Sequence, residues 1–342
     1  MKTISIINLK GGVAKTLTAD NMAHVLAVFH NKRVLLVDND KQGNTSKAFG
    51  VHSYDEKSLS DILTARRIDP HEVIKKTRFQ NIDVLPANMT LIRANLEVMM
   101  DSTRPQQTRL RAALGAVTGE YDYCIIDNAP DINISTINAL VASDDVIIPI
   151  KIDKYAFDGL AELKEQIEDT RDDLNPRLRL AGCLITCFQR TDADRQGEEW
   201  LKAQPEYPVF DTHIRYSEKV TESTFSESPL LNTADGAGPL WTISRLCGSI
   251  CGGASNERGK GRSRILQKQP EKDSRLSMRY MRRVGRGRLH GQEILPGGIL
   301  ARLRRPGRVP GSVQAHRGAR KNRSTSVNCP NRTERGLHHG KV

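Results

Sequence analysis

Short runs of Val, Ile and Leu recur along the first two thirds of the chain. Between them lie longer stretches in which apolar residues return every three or four positions. The runs at 4–8, 33–37, 82–85, 123–127, 145–150 and 178–186 predict buried strands. The stretches 15–30, 91–100, 108–117, 132–141 and 157–169 have helical spacing, with Leu17, Met22, Val25 and Leu26 marking the stripe of the first. Strands that alternate with helices require parallel pairing through right-handed crossovers. The expected fold class is therefore α/β, a doubly wound, mostly parallel sheet.

The pattern stops near residue 235. Of 52 Lys and Arg, 24 lie in 241–342 with only 5 of the 40 acids, so the first 240 residues carry about −7 and the last 102 about +19. Runs such as Arg282-Arg283-Val284-Gly285-Arg286-Gly287-Arg288 have no period and few aromatics, a composition that predicts disorder. The expected organisation is a globular domain over 1–235 and a basic low-complexity tail over 236–342. No run approaches the ~20 apolar residues of a membrane span, and the chain opens on a strand rather than a signal peptide, which suits a cytosolic protein. Cys124, Cys183 and Cys187 fall in expected strands without the spacing of a zinc or redox pair and read as reduced core thiols, Cys183 and Cys187 on one strand face.

The chemistry sits where strands end. Lys10-Gly11-Gly12-Val13-Ala14-Lys15-Thr16 follows the first apolar run and leads into the first helix. Glycines there let backbone N–H groups converge on a polyphosphate at the positive end of a helix. Lys15 would reach the β- and γ-phosphates, and the Thr16 hydroxyl would sit on Mg²⁺. Lys10 is a second cation, which an ordinary phosphate loop does not need. The run 33–37 closes on Asp38-Asn39-Asp40, and 123–127 closes on Asp127 before Asn128-Ala129-Pro130, so carboxylates stand at the strand ends where open α/β sheets bind ligands.

With these residues the chain resembles the ParA/Soj/MinD group of deviant Walker A P-loop ATPases over about residues 1–232, and Asp38–Asn44 resembles the ParA/Soj branch more than MinD. The resemblance implies an ATP- and Mg²⁺-dependent homodimer of a bacterial cytoplasm, nucleoid-associated and not membrane-bound. It would bind DNA nonspecifically and hydrolyse ATP when a ParB-like centromere-binding protein stimulates it, in plasmid or chromosome partition. Carried over by position, Lys10 acts in trans, and Lys10, Lys15 and Asp40 are catalytic, Asp40 by positioning the attacking water. Gly11, Gly12, Val13, Ala14, Lys15, Thr16 and Leu17 bind the nucleotide, and Thr16, Asp38 and Asp127 serve the metal.

Ala14 stands where the family usually has glycine, Leu17 where it has a second threonine, and Ala129 where proline is common. If position 14 needs a positive φ, alanine costs about 1–2 kcal/mol, which weakens nucleotide affinity and makes for slow hydrolysis. Arg215 and Lys219, four apart, would share a helix face and are the candidates for DNA contact; His213 beside them reads as a structural hydrogen-bonder. A MinD-like membrane-surface regulator, a P-loop synthetase of the amidoligase kind and a catalytically weak ATP-binding switch remain as alternatives. The tail has two readings. It is a nucleic-acid arm, or it is an unselected reading frame: 238–244 can be back-translated so that the shifted frame reads Ala-Ala-Val-Asp-Tyr-Ile, close to the helix the resemblance leads one to expect. In the second reading the domain lacks its closing helix and residues from 236 have no packed partner.

Overall fold

Seven strands line up in the order β3-β4-β2-β5-β1-β6-β7. They are β1 (Lys2–Ile6), β2 (Val34–Asn39), β3 (Lys75–Lys76), β4 (Ile82–Leu85), β5 (Tyr123–Asn128), β6 (Asp145–Lys151) and β7 (Arg179–Thr186). All pairings are parallel except that of the short edge strand β3. The computed structural model describes residues 1–153, 157–218 and 237–250. All of these fall in the first of two units, Met1–Glu257 and Arg258–Val342.

Period two explains why β2, read as one apolar run, serves two cores. Val34 and Leu36 join α1 (Lys15–Phe29) in one layer, while Leu35 and Val37 pack on the other face with Leu59, Leu91 and Leu110. Those three belong to α3 (Leu59–Thr64), α4 (Thr90–Met100) and α5 (Arg109–Ala116). α6 (Ile134–Ala142) completes that layer, and α7 (Leu160–Asp173) covers β6 and β7. α2 (Asn44–Ala48), α3 and α8 (Asp192–Lys202), together with β3, are elements the apolar pattern does not announce. α2 is too short for a period. α8 has its N-terminus fixed by a Thr191–Asp194 capping box instead.

One expectation fails. Within the predicted tail, α9 (Ala237–Ile250) forms and packs on α1. Ile243, Leu246 and Cys247 are buried in the α1 core with Ile250 against it, and Lys2 Nζ donates to Ile250 O at 3.2 Å. These positions have the i, i+3, i+4, i+7 spacing of a helix face. The absence of period ascribed to the tail therefore does not hold here, and the domain has a helix over α1. The remaining tail, 251–342, lies outside the described residues.

The cysteines divide as well. Cys124 and Cys183 are free, buried thiols, Cys183 pushed up to about 12 by burial. Cys187 lies past the end of β7 with φ 54, so it does not share a strand face with Cys183.

Candidate functional site

β1, β2 and β5 are neighbours whose C-terminal ends reach the same edge, with Asp127 in register with both Ile6 and Asp38. Parallel partners in register point to the same face, so Asp38 and Asp127 lie side by side on the α1 face of the sheet. Both are buried, Asp127 at 1% exposure. Burial, then each other's charge or that of Asp40, raises Asp38 to about 7 and Asp127 to about 6, against hydrogen bonds that pull both down. Asp38 accepts from Ser46 N at 2.8 Å and Ser46 Oγ at 2.6 Å. Asp127 accepts from Thr45 Oγ1 at 3.0 Å, and its Oδ1 has no partner.

The loop after β1 arches over this edge. Gly12 has φ +71, and a Cβ at Gly11 or Gly12 would meet nothing within 4 Å, so the loop leaves open space in front of its backbone. Ala14 caps α1 in the left-handed region, φ 63 and ψ 34. That is the conformation the family's glycine would adopt without strain, and alanine bears the cost estimated above. The first helical bond runs from Thr18 N to Ala14 O at 3.0 Å, which leaves the N–H groups of Lys15, Thr16 and Leu17 without helical acceptors. Leu17's side chain packs against the α1 core; only its backbone can serve a ligand here. β7 braces the loop, Thr186 Oγ1 donating to Val13 O at 3.1 Å.

Lys15 is buried and folded back, its Nζ donating to Lys10 O at 2.9 Å. Burial lowers its pKa, and the charges of Asp127, Asp40 and Asp131 partly restore it. Lys10 is ion-paired with Asp153 of its own chain. Asp40 accepts from Gln42 N at 2.9 Å and gives its own N–H to Asp38 at 3.2 Å, at the start of a loop tied to the one after β5 by Lys41–Asp131, 3.2 Å. The structure thus gathers Lys10 through Thr16, Asp38, Asp40 and Asp127 at one edge. It also brings in Asp20, Thr45, Ser46 and Thr186, which no motif marks. Their signal is weak: short polar residues within otherwise buried elements.

Of the expected DNA pair, the structure describes Arg215. Arg215 is exposed, but it forms an isolated parallel bridge with Phe188 and so is extended rather than helical; Lys219 lies outside the described residues. His213 behaves as a structural group, its Nε2 3.0 Å from Glu198 Oε1 and its ring stacked on Phe188 at 4.4 Å.

A triphosphate and a hard cation suit this donor set. The cradle is open, its walls are backbone N–H groups and a lysine, and the metal side offers hydroxyl and carboxylate oxygens with one buried oxygen unused. No cluster of three His, Cys, Asp or Glu among the described residues could hold a metal by itself. A cation here would share phosphate or water oxygens, as Mg²⁺ commonly does.

Known proteins agree. Residues 1–180 match the AAA domain family. The chain is 38% identical over 232 residues to the sporulation initiation inhibitor protein Soj of Bacillus subtilis, covering 67% of this chain and 90% of that one. It is 34% identical over 235 residues to the chromosome partitioning protein ParA of Caulobacter vibrioides, 68% and 86% of the two chains. Among solved structures it is similar to a cobyrinic acid a,c-diamide synthase from Mycobacterium smegmatis with bound ATP analog and magnesium, at TM-score 0.63 and 27% identity over 73% of this chain and 94% of that one. Sequence likeness over most of their length to Soj and ParA decides between the branches of this fold, and the chain belongs to the ParA/Soj family of P-loop NTPases.

Proposed function

We propose that this chain is a partition ATPase that binds Mg²⁺–ATP at the loop after β1, dimerises around it, binds DNA without sequence preference and hydrolyses ATP slowly until a ParB-like partner stimulates it. Its setting would be the bacterial cytoplasm, over the nucleoid. The observation that carries this reading is the pair Asp38 and Asp127, buried side by side under an open phosphate cradle with Lys15 at its mouth. Two buried carboxylates with raised pKa and, among the described residues, no cation salt-bridged to them are costly by themselves and become favourable beside a divalent ion. The names of the relatives, chromosome partitioning and sporulation control, supply the cargo class.

Each residue then has a task. Backbone N–H groups of 11–17 and the Lys15 ammonium would hold the phosphates, with Lys15 turning away from Lys10 O to do so. Thr16, Asp38 and Asp127 would hold Mg²⁺ directly or through water, and the ion would neutralise charge gathering on the phosphate oxygens. Asp40, at the rim, would orient water. Lys10 must leave Asp153 to reach a nucleotide on a second copy. The net charge of about +19 in the last 102 residues supports phosphate contacts that weaken with salt.

Fluorescent-nucleotide binding and sedimentation test the reading. Lys15→Ala should abolish ATP binding, Lys10→Ala should bind ATP without dimerising or turning over, and Asp40→Ala should accumulate an ATP-bound dimer. A Lys10→Ala protein that dimerises and hydrolyses normally would remove the deviant-loop mechanism. The likeness to a diamide synthase favours a second reading, a metabolic synthetase; turnover stimulated by a small carboxylic acid and ammonia, and not by DNA, would establish it instead.

A further inference from the structure

We infer that Asp20, on α1, is a positioning residue for Asp127 and acts through the hydroxyl of Thr45. Thr45 Oγ1 lies 2.9 Å from Asp20 Oδ1 and 3.0 Å from Asp127 Oδ2, and Thr45 is fully buried. A threonine hydroxyl carries one proton and can donate to only one of two carboxylates. The other carboxyl therefore carries a proton of its own and donates to Oγ1, since two ionised carboxylates cannot share one hydroxyl proton at the fully buried Thr45.

The chemistry of the neighbours decides the direction. Asp20 is pushed well above the usual carboxylate range, by burial first and then by the charges of Asp127 and Asp38. Asp127, the carboxylate that would serve the cation, is the ionised acceptor, so the second proton falls to Asp20. The Asp20 O–H donates to Thr45 Oγ1, and the Thr45 O–H donates to Asp127 Oδ2. One oxygen of Asp127 is thereby held, while Oδ1 is kept without a protein partner. Thr45 belongs to α2, the turn of helix that follows Asp38-Asn39-Asp40, so the same hydroxyl ties this element to α1 and β5. A carboxyl on α1 therefore orients the metal-facing aspartate without touching the ligand, as outer-shell partners do in metal sites.

This inference rests on the Mg²⁺–nucleotide reading above, and the test separates the two. A fluorescent ATP analogue is titrated with and without Mg²⁺ against the full chain and its Asp20→Ala, Asp20→Asn and Thr45→Val variants, each checked for its melting temperature. Asp20→Asn keeps a donor toward Thr45, whereas Asp20→Ala removes it. Asp20→Ala and Thr45→Val should raise the Mg²⁺ concentration for half-saturation about 10-fold or more, and Asp20→Asn should stay within about 3-fold of the parent. Metal-free nucleotide binding should be unchanged in all three. If Asp20→Ala fails to fold, Thr45→Val and Asp20→Asn carry the comparison. Wild-type Mg²⁺ dependence in Thr45→Val, or an Asp20→Asn chain that melts normally and needs 10-fold more Mg²⁺, overturns the inference. A parent chain whose analogue binding ignores Mg²⁺ overturns the proposed function instead.

Discussion

Aspartates stand at both ends of the strands, and the two ends treat them in opposite ways. Asp145 opens β6 with 4% of its side chain exposed, and both oxygens are paired: Lys2 Nζ at 2.8 Å, Arg179 Nη2 at 2.7 Å and Arg179 Nε at 3.0 Å. Asp127, one residue before the end of β5, is as deeply buried, yet it faces Asp38, borrows hydroxyls and leaves Oδ1 without a partner. One edge of the sheet is neutralised within the chain. At the other, Asp127 feels the Lys15 charge but has no ion pair among the described residues. A strand-terminal acid is therefore informative about function only together with the end of the strand it occupies and what pairs it.

Four measurements test this contrast, and the first two carry the largest effects. Asp145→Ala strands two cations and should lower stability by about 2–3 kcal/mol in denaturant unfolding, with nucleotide affinity unchanged. Loss of nucleotide binding in that variant would break the comparison. His24 supplies a buried atom without a partner one turn along α1 from Asp20, whose O lies 2.8 Å from His24 Nδ1. Its Nε2 has no partner, its ring packs 5.1 Å from Phe49 and 4.6 Å from Phe79, and burial lowers its pKa to about 4. The unfolded chain takes up that proton near the ordinary value of about 6.5 and the folded chain only near 4. The stability present above pH 6.5 is thus lost as pH falls toward 4, by about 3 kcal/mol. His24→Phe should lack this part of the acid sensitivity and leave nucleotide binding intact. An identical acid profile in the variant would show that His24 is not the group responsible.

Asp127→Asn should move stability the other way. Removing a buried charge beside Asp38 should make the nucleotide-free protein more stable by about 1–2 kcal/mol, while Mg²⁺-dependent nucleotide binding is lost. A destabilised Asp127→Asn would mean that the ligand edge is as well compensated as the other. The smallest effect is expected at Ala14. With φ 63, Ala14→Gly should relieve about 1 kcal/mol of backbone strain and tighten nucleotide binding. Calorimetry and the same titrations read both, and a neutral result would place the departure at this position outside the affinity argument.

Much of the fold was legible because burial imposes period. The apolar runs at 82–85 and 123–127 coincide with β4 and, within one residue, β5, and the helical stripes locate α1, α4, α5 and α6. α7 starts three residues after the first residue of the stretch at 157–169, where Gly159 with φ 74 caps it. α2 offered no period over five residues, and α9 was obscured by the basic composition that follows it. In the site, Lys10–Thr16, Asp38, Asp40 and Asp127 could be read because phosphate chemistry demands those residue types at fixed offsets from a strand. The extended conformation at Arg215 could not, since spacing alone does not reveal whether a segment is helical.

The sequence by itself determined the alternation of strands and helices, the glycine-rich turn and the acids at the strand ends. These follow from local rules: period, backbone freedom and the residue types a ligand's charge requires. Tertiary structure alone decided that β5 lies between β1 and β2, which sets Asp127 beside Asp38, and that Thr45 and Asp20 meet Asp127 across 82 residues of chain and more. Strand order is chosen by how whole layers pack, and the protonation of buried acids by which neighbours that packing supplies. Neither is encoded in any one segment.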